Sequence, residues 1–188
     1  PPPPPPPLFF FTPDAGTRHP LWSRGLGDVY KRQRIGDPWS GQVAFPGGRA
    51  SIGDSCPEEV AERETREEVG LALKPTDRIG KLPIRDVQRR DLKDSLTLTP
   101  VLYQISFERR ALAHVKDKDE VSRVFWVPVR HLFDKDAVTS IDYTIGGSNN
   151  TYPGILYGEE VIWGLTLRIL ESFSVLLGRD FPATSDSF

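Results

Sequence analysis

Apolar residues recur along this chain in two rhythms. From Val161 to Leu177, Ile162, Leu165, Ile169, Leu170 and Phe173 fall at helical spacing, which predicts a packing helix. Leu96 to Ile105 is rich in Leu, Thr, Val and Tyr and reads as a long strand, with Pro100 marking a bulge or an edge. Val121 to Val127 reads as another strand, with a short helix over Pro128 to Phe133 behind it and a last strand at Ile155 to Tyr157. Gln42 to Phe45 is a short strand stopped by Pro46-Gly47-Gly48. The best-marked helix runs from Ser55 to Val69. Ser55 is placed to cap it, Glu58 three residues on would complete a capping box, Pro57 sits in the first turn, and Gly70 is placed to end it. Asp37 to Gly41 and the flexible Gly146 to Asn150 stretch read as loops. Strands alternating with helices predict an α/β or α+β domain.

That pattern holds from Arg34 onward and fails before it. Pro1 to Pro7 is a homopolymer, and Leu8-Phe9-Phe10-Phe11 follows without periodicity. Ser23 to Gln33 back-translates in frame into a transposon-type sequencing adapter. Residues 1–33 are therefore read as a non-native segment, with a disordered Pro-rich tail as the bland alternative. The domain is assigned to residues 34–182 and a flexible tail to 183–188. A domain starting near Arg34 leaves room for a lost first strand.

Composition narrows the functional classes. A chain of 188 residues with 38% hydrophobic and 27% charged content suits one soluble domain. The net charge of −2 offers no broad basic face, so no nucleic-acid partner is expected. No apolar run reaches the roughly 18 residues of a membrane span, so no membrane partner is expected. The single cysteine, Cys56, cannot form an internal disulfide, which suits an intracellular, reducing compartment.

The chemistry concentrates in Arg63-Glu64-Thr65-Arg66-Glu67-Glu68-Val69-Gly70-Leu71. On a helix, Glu64, Glu67 and Glu68 stand at i, i+3 and i+4 and share a face. Their repulsion destabilises the helix by roughly a few tenths of a kcal/mol per pair. A hard divalent cation with oxygen ligands removes that conflict and suits a phosphoanhydride substrate. The competing reading is a solvated charged face. Against it stands the lead-in, Gly41-Gln42-Val43-Ala44-Phe45-Pro46-Gly47-Gly48, whose double glycine lets backbone pass close to metal and phosphates.

With that lead-in, the stretch resembles the box of the Nudix hydrolases. Gly48 matches its opening glycine, and Arg63, Glu64, Glu67, Glu68, Gly70 and Leu71 match directly. Asp54 stands where the general box has Glu, eight residues rather than seven separate it from Arg63, and Thr65 replaces an aliphatic residue. The spacing, the Asp and the lead-in resemble the coenzyme A pyrophosphatase branch. The resemblance implies an α/β/α sandwich around a mixed sheet and hydrolysis of a nucleoside diphosphate linked to another moiety. Its substrate would be a small-molecule diphosphate, of coenzyme A type first. Rivals within the class are ADP-ribose, nucleotide sugars, NADH, dinucleoside polyphosphates and capped RNA. A noncatalytic domain that kept the fold is the alternative of another class.

The resemblance also implies roles. Glu64, Glu67 and Glu68 would ligate Mg²⁺, with Mn²⁺ as the alternative ion, and Glu64 or Glu67 would serve as base. Gly48 would offer its backbone carbonyl, and Arg63 would orient the carboxylates. Glu120, in a loop with Asp117 and Asp119, would be a late acid that helps bind metal or activates water, against the reading of a solvated loop charge. Gly47 and Arg49 would lie against phosphate, with a solvent-facing Arg49 as the alternative. Cys56 beside the helix start, His19, His114, His131 and the Arg89-Arg90-Lys93 group are read as structural or solvated; Trp39 and Trp126 are candidates to line a base-stacking pocket, with core packing the better reading for Trp126.

Overall fold

In the computed structural model, which describes residues 8–11, 14–15, 41–88, 95–145 and 148–183, strands and helices are combined as an α/β fold. The order is β1 (Leu8–Phe11), β2 (Asp14–Ala15), α1 (Pro57–Glu68), β3 (Arg78–Lys81), β4 (Arg85–Gln88), β5 (Ser95–Leu98), β6 (Val101–Gln104), α2 (Phe107–Arg110), β7 (Val138–Ile145), β8 (Ser148–Tyr157), β9 (Glu160–Trp163) and α3 (Gly164–Leu176). Three sheets run in the orders β1-β6-β3, β2-β5-β4 and β7-β8-β9. Each of the pairings that build these three sheets is antiparallel, and none of them is the parallel pair that would make the sheet mixed. Expectations for Trp39, His19, Arg89, Arg90, Lys93, Gly146 and Gly147 lie outside the described residues.

Strand β6 is the middle of the molecule. Alternate side chains of a strand point to opposite faces. Val101 and Tyr103 join Ala61 of α1, Leu71 and Ile105 in one buried cluster. Leu102 joins Leu167, Leu170 and Phe173 of α3 in the other. A helix is thus packed on each side of the strand, the layering of an α/β/α sandwich. Each fully buried Leu or Phe stabilises it by roughly 1.5–3 kcal/mol.

Several elements differ from the sequence expectation for identifiable reasons. Pro100 does not bulge one long strand but divides it: β5 pairs with β4, and β6 pairs with β3 in another sheet. The Pro100 carbonyl still accepts the Leu82 amide at 2.9 Å. Residues 121–127 alternate as expected, Val124 and Trp126 toward one cluster and Phe125 and Val127 toward the other, yet they carry no ladder. Residues 42–45 likewise stand outside any sheet, and the Val43 carbonyl accepts the Thr166 hydroxyl of α3 at 2.8 Å. Val161 to Trp163 belongs to β9 rather than to the last helix. The two-residue turn at Gly158-Glu159, with Gly158 at φ +63°, folds β8 back on β9 as a hairpin. Ala183, expected in a flexible tail, is buried in the α3 cluster. Leu8–Phe11 pairs with β6 and Asp14–Ala15 with β5, so these six residues of the segment read as non-native or disordered are strands. A free strand edge selects for β propensity, so the pairing bears on order and not on origin.

The start of α1 is also rewired. Cys56 is the N-cap residue, and the Ser55 amide and hydroxyl both donate to Glu59, at 2.7 and 2.8 Å. Glu58, the expected partner of Ser55, is drawn instead to Lys81 at 3.3 Å and Arg78 at 3.5 Å. The helix ends as expected at Gly70, whose φ of +67° is left-handed. A Cβ there would also strike the His114 ring. Gly70→Ala is expected to cost about 1–2 kcal/mol and to lower the thermal midpoint by several degrees. Adding His114→Ala should recover the steric part of the loss but not the part due to φ. Unchanged thermal unfolding of Gly70→Ala would contradict this account of the helix end.

Candidate active site

The carboxylates of α1 do not point one way. Glu64 and Glu68 turn inward and are 8% and 1% exposed, while the Glu67 side chain is 51% exposed. Between them, Thr65 is buried and returns its hydroxyl to the Ala61 carbonyl, which satisfies a polar group in an apolar position.

Glu64 lies against the double-glycine turn. A Cβ at Gly48 would come within 3.0 Å of both Glu64 carboxylate oxygens, so glycine is what allows the backbone this close. The neighbouring Gly47 amide donates to Glu68 Oε1 at 3.2 Å. Glu68 Oε2 is buried and has no hydrogen-bond partner.

Arg63 ties the outer part together. Its Nη1 donates to Glu64 at 2.7 Å and to Glu67 at 3.1 Å. Its Nη2 donates to Asp54 at 2.8 Å and to the Arg49 carbonyl at 2.9 Å. Asp54 is itself held by the Ser51 amide at 2.7 Å. Asp54 thus anchors Arg63, a part in the geometry that the box match alone did not reveal. Arg49 supplies its carbonyl here.

A loop closes the inner part. The last carbonyls of a helix lack intrahelical donors. Here the His114 amide bonds the Val69 carbonyl at 3.0 Å, and the Lys116 and Asp117 amides bond the Glu68 carbonyl at 2.9 and 3.2 Å. Lys116 Nζ reaches the Arg66 carbonyl at 3.0 Å, a cation at the negative end of the helix. Docked this way, the loop places Asp117 and Glu120 close enough for their charges to act on Glu68. Asp117 carried no separate signal in the sequence.

The electrostatics follow from this crowding. Burial, then the charge of Glu64, then Glu120 and Asp117, hold the Glu68 carboxyl well above its ordinary range, and the Gly47 amide only partly opposes them. Burial also raises Glu64, against the pull of Arg63. The Arg63 guanidinium lowers Asp54. Among the described residues no three His, Cys, Asp or Glu side chains already converge as a metal-binding group. The donor set nevertheless fits a divalent cation: acidic oxygens crowd one another, one oxygen of Glu68 is orphaned, and the Gly48 backbone lies directly against the Glu64 carboxylate.

Beside Glu68 a cavity of about 110 Å³ opens between residues 43–46, residues 121–129 and α3. Its walls are mostly apolar, with Phe45, Phe125 and Trp126 among them and Arg123 at one side. The remaining candidates stand apart from this arrangement. Cys56 is a free thiol at the helix start. His114 packs on Gly70, and His131 contacts the Leu156 carbonyl at 2.7 Å and the Tyr157 ring. No helix among the described residues is long and apolar enough to cross a membrane.

A family model described as the NUDIX domain matches residues 27–145. Over 145 residues the chain is 33% identical to the human protein named mitochondrial coenzyme A diphosphatase NUDT8, covering 75% of this chain and 58% of that one. Nudix hydrolase 3 of Caenorhabditis elegans is 31% identical over 153 residues, covering 74% and 62%. A Yersinia enterocolitica protein named uncharacterized Nudix hydrolase NudL is 30% identical over 132 residues, covering 70% and 63%. The chain spans about three-fifths of the length of these relatives.

Glu68 gives a pH test. Its folded-state carboxyl holds its proton more tightly than the unfolded chain does, so its ionisation opposes folding. Stability is unaffected below the ordinary value of 4.5 and is lost as pH rises through the elevated folded value. With a chelator present, Glu68→Gln should therefore unfold at a higher temperature than wild type at about pH 7, and the gap should shrink toward about pH 4. A gap that does not change with pH would contradict the strained state of this carboxylate.

Proposed function

The chain belongs to the Nudix family, and on that premise we propose that it hydrolyses the diphosphate bond of a nucleoside diphosphate linked to another moiety, with coenzyme A-type substrates favoured. The observation that carries this reading is Glu68, buried beside Glu64 with one oxygen unpartnered, facing an acidic loop and a glycine turn. A purely structural helix would place such carboxylates in water, because burying an uncompensated charge costs several kcal/mol in order of magnitude.

Glu64, Glu67 and Glu68 would hold Mg²⁺, or alternatively Mn²⁺, with the Gly48 carbonyl as a backbone donor and Glu120 as an additional acid. When bound, the ion neutralises charge on the phosphates and polarises the phosphorus–oxygen bond. Arg63 fixes the positions of Glu64 and Glu67 through charge-assisted hydrogen bonds. The Gly47-Gly48 turn and Arg49 face the phosphates. A water oxygen forms a bond to one phosphorus, the bridging phosphorus–oxygen bond breaks, and Glu64 or Glu67 accepts the proton of the water. Two phosphorylated products leave.

Three features support the coenzyme A branch. One is the lead-in from Gly41 to Gly48, another is the eight-residue spacing between Asp54 and Arg63, and the third is the name of the human relative. The same name and the single free cysteine support an intracellular, reducing compartment.

With Mg²⁺ and a panel of coenzyme A, ADP-ribose and a nucleotide sugar, coenzyme A is expected to be split fastest. Glu67→Gln and Glu68→Gln are each expected to lower kcat about 100-fold or more while the circular dichroism spectrum stays as in wild type. Near-normal turnover in either variant would remove that carboxylate from the site.

A further inference from the structure

The cavity beside α3 and the acidic helix share a residue. Glu68 lies in the cavity wall, together with Val43, Phe45, Val121, Ile162 and Leu170. A group seated in this space is therefore next to the carboxylates assigned to the diphosphate and its ion. The charged and hydroxyl side chains of the wall already have partners. Glu68 Oε1 accepts the Gly47 amide at 3.2 Å, Arg123 pairs with Glu160 at 3.3 Å, and the Thr166 hydroxyl donates to the Val43 carbonyl at 2.8 Å. The second Glu68 oxygen is assigned to the ion of the proposed site. What these walls offer a ligand is contact with aliphatic and aromatic carbon.

Volume and polarity limit the guest. An apolar cavity of roughly 150 Å³ stays dry and holds one benzene. At about 110 Å³ this one suits a compact group of a few carbons. Adenine would need partners for its ring nitrogens and amino group, and a sugar would need them for its hydroxyls, because burial strips such groups of water. The side chains that could serve are already taken. A packing defect would account for an empty space in the core, but not for Glu68 in its wall.

Resting on the proposed diphosphate hydrolysis, we infer that this cavity is a subsite for a branched aliphatic carbon standing next to the cleaved diphosphate. Coenzyme A supplies one: on its pantetheine side the phosphate ester oxygen is followed by a methylene and then by a quaternary carbon with two methyl groups. ADP-ribose and nucleotide sugars carry a hydroxylated sugar on both sides instead. The cavity thus favours the pantetheine arm by the methyl groups nearest the phosphate, where each buried carbon of a hydrophobic pocket changes kcat/KM by roughly tenfold or more.

The probes are dissolved xenon, read by xenon NMR on the full chain, and two synthetic substrates, ADP esterified on its terminal phosphate with ethanol or with neopentyl alcohol. Xenon is expected to bind the wild-type chain, and phosphopantetheine in Mg²⁺ to displace it. The neopentyl ester should be hydrolysed with a kcat/KM at least about tenfold above that of the ethyl ester. Leu170→Phe, which fills the cavity, should abolish xenon binding and bring the two esters within about twofold of each other. Val129→Phe fills the space from another wall and serves if Leu170→Phe fails to fold. No xenon binding by wild type, displacement by ADP but not by phosphopantetheine, equal kcat/KM for the two esters, or an undiminished preference in a filled variant overturns the inference. A chain that hydrolyses neither ester nor coenzyme A, while phosphopantetheine still displaces xenon, would remove the proposed activity and leave this inference standing.

Discussion

Glu68 is 1% exposed, and only one of its two oxygens is hydrogen-bonded, to the Gly47 amide. Taking a carboxylate out of water is expensive unless something replaces the lost solvation. The rest of the site is organised around this deficit. Gly47 must present its amide, so the backbone must pass within reach, and Gly48 must carry no side chain because Glu64 occupies that space. The loop that satisfies the end carbonyls of α1 brings two more acids toward the same point. The Gly47 amide offsets only part of the resulting repulsion, and a divalent cation is the simplest species that relieves the rest.

Arg63 does the opposite work a few ångströms away. It neutralises Glu64 and Glu67 while being fixed from behind by Asp54 and the Arg49 carbonyl. The two halves of the acidic helix are therefore in different states: the outer one is balanced by an internal cation, the inner one is left unbalanced. This division answers the rival reading of a solvated charged face. A solvated face would leave all three glutamates in water, whereas here only Glu67 is there.

Much of this was legible in the sequence, because the determinants are local. The spacing of Glu64, Glu67 and Glu68, the glycines at 47 and 48, and the terminating Gly70 each impose a conformation within a few residues. What escaped was set by distant partners. Ser55 pairs with Glu59 and not Glu58 because Arg78 and Lys81, on another strand, attract Glu58. The alternation in 121–127 correctly marked two buried faces but could not say whether a neighbouring strand would complete a ladder. Val161 to Trp163 fits a helical period and a strand period equally, and the hairpin turn at Gly158 decides for the strand. Asp117 gave no signal because its place near Glu68 comes from the loop docking on α1.

The cavity beside Glu68 is built from two separate stretches of the chain. Its floor near Glu68 comes from the lead-in and the end of α1, which the box specifies. The opposite wall comes from Ile162, Thr166 and Leu170, which with Glu160, the ion-pair partner of Arg123, lie beyond the stretch matched by the family model. Changing them would reshape the cavity beside Glu68 without touching Arg63 or the glutamates. The two regions are still mechanically joined, since the Thr166 hydroxyl holds the Val43 carbonyl at the start of the lead-in. A shift of α3 would thus reach the glycine turn through a single hydrogen bond and four residues of extended chain. The pocket wall and the acidic helix come from separate segments of sequence, and this contact keeps them in register.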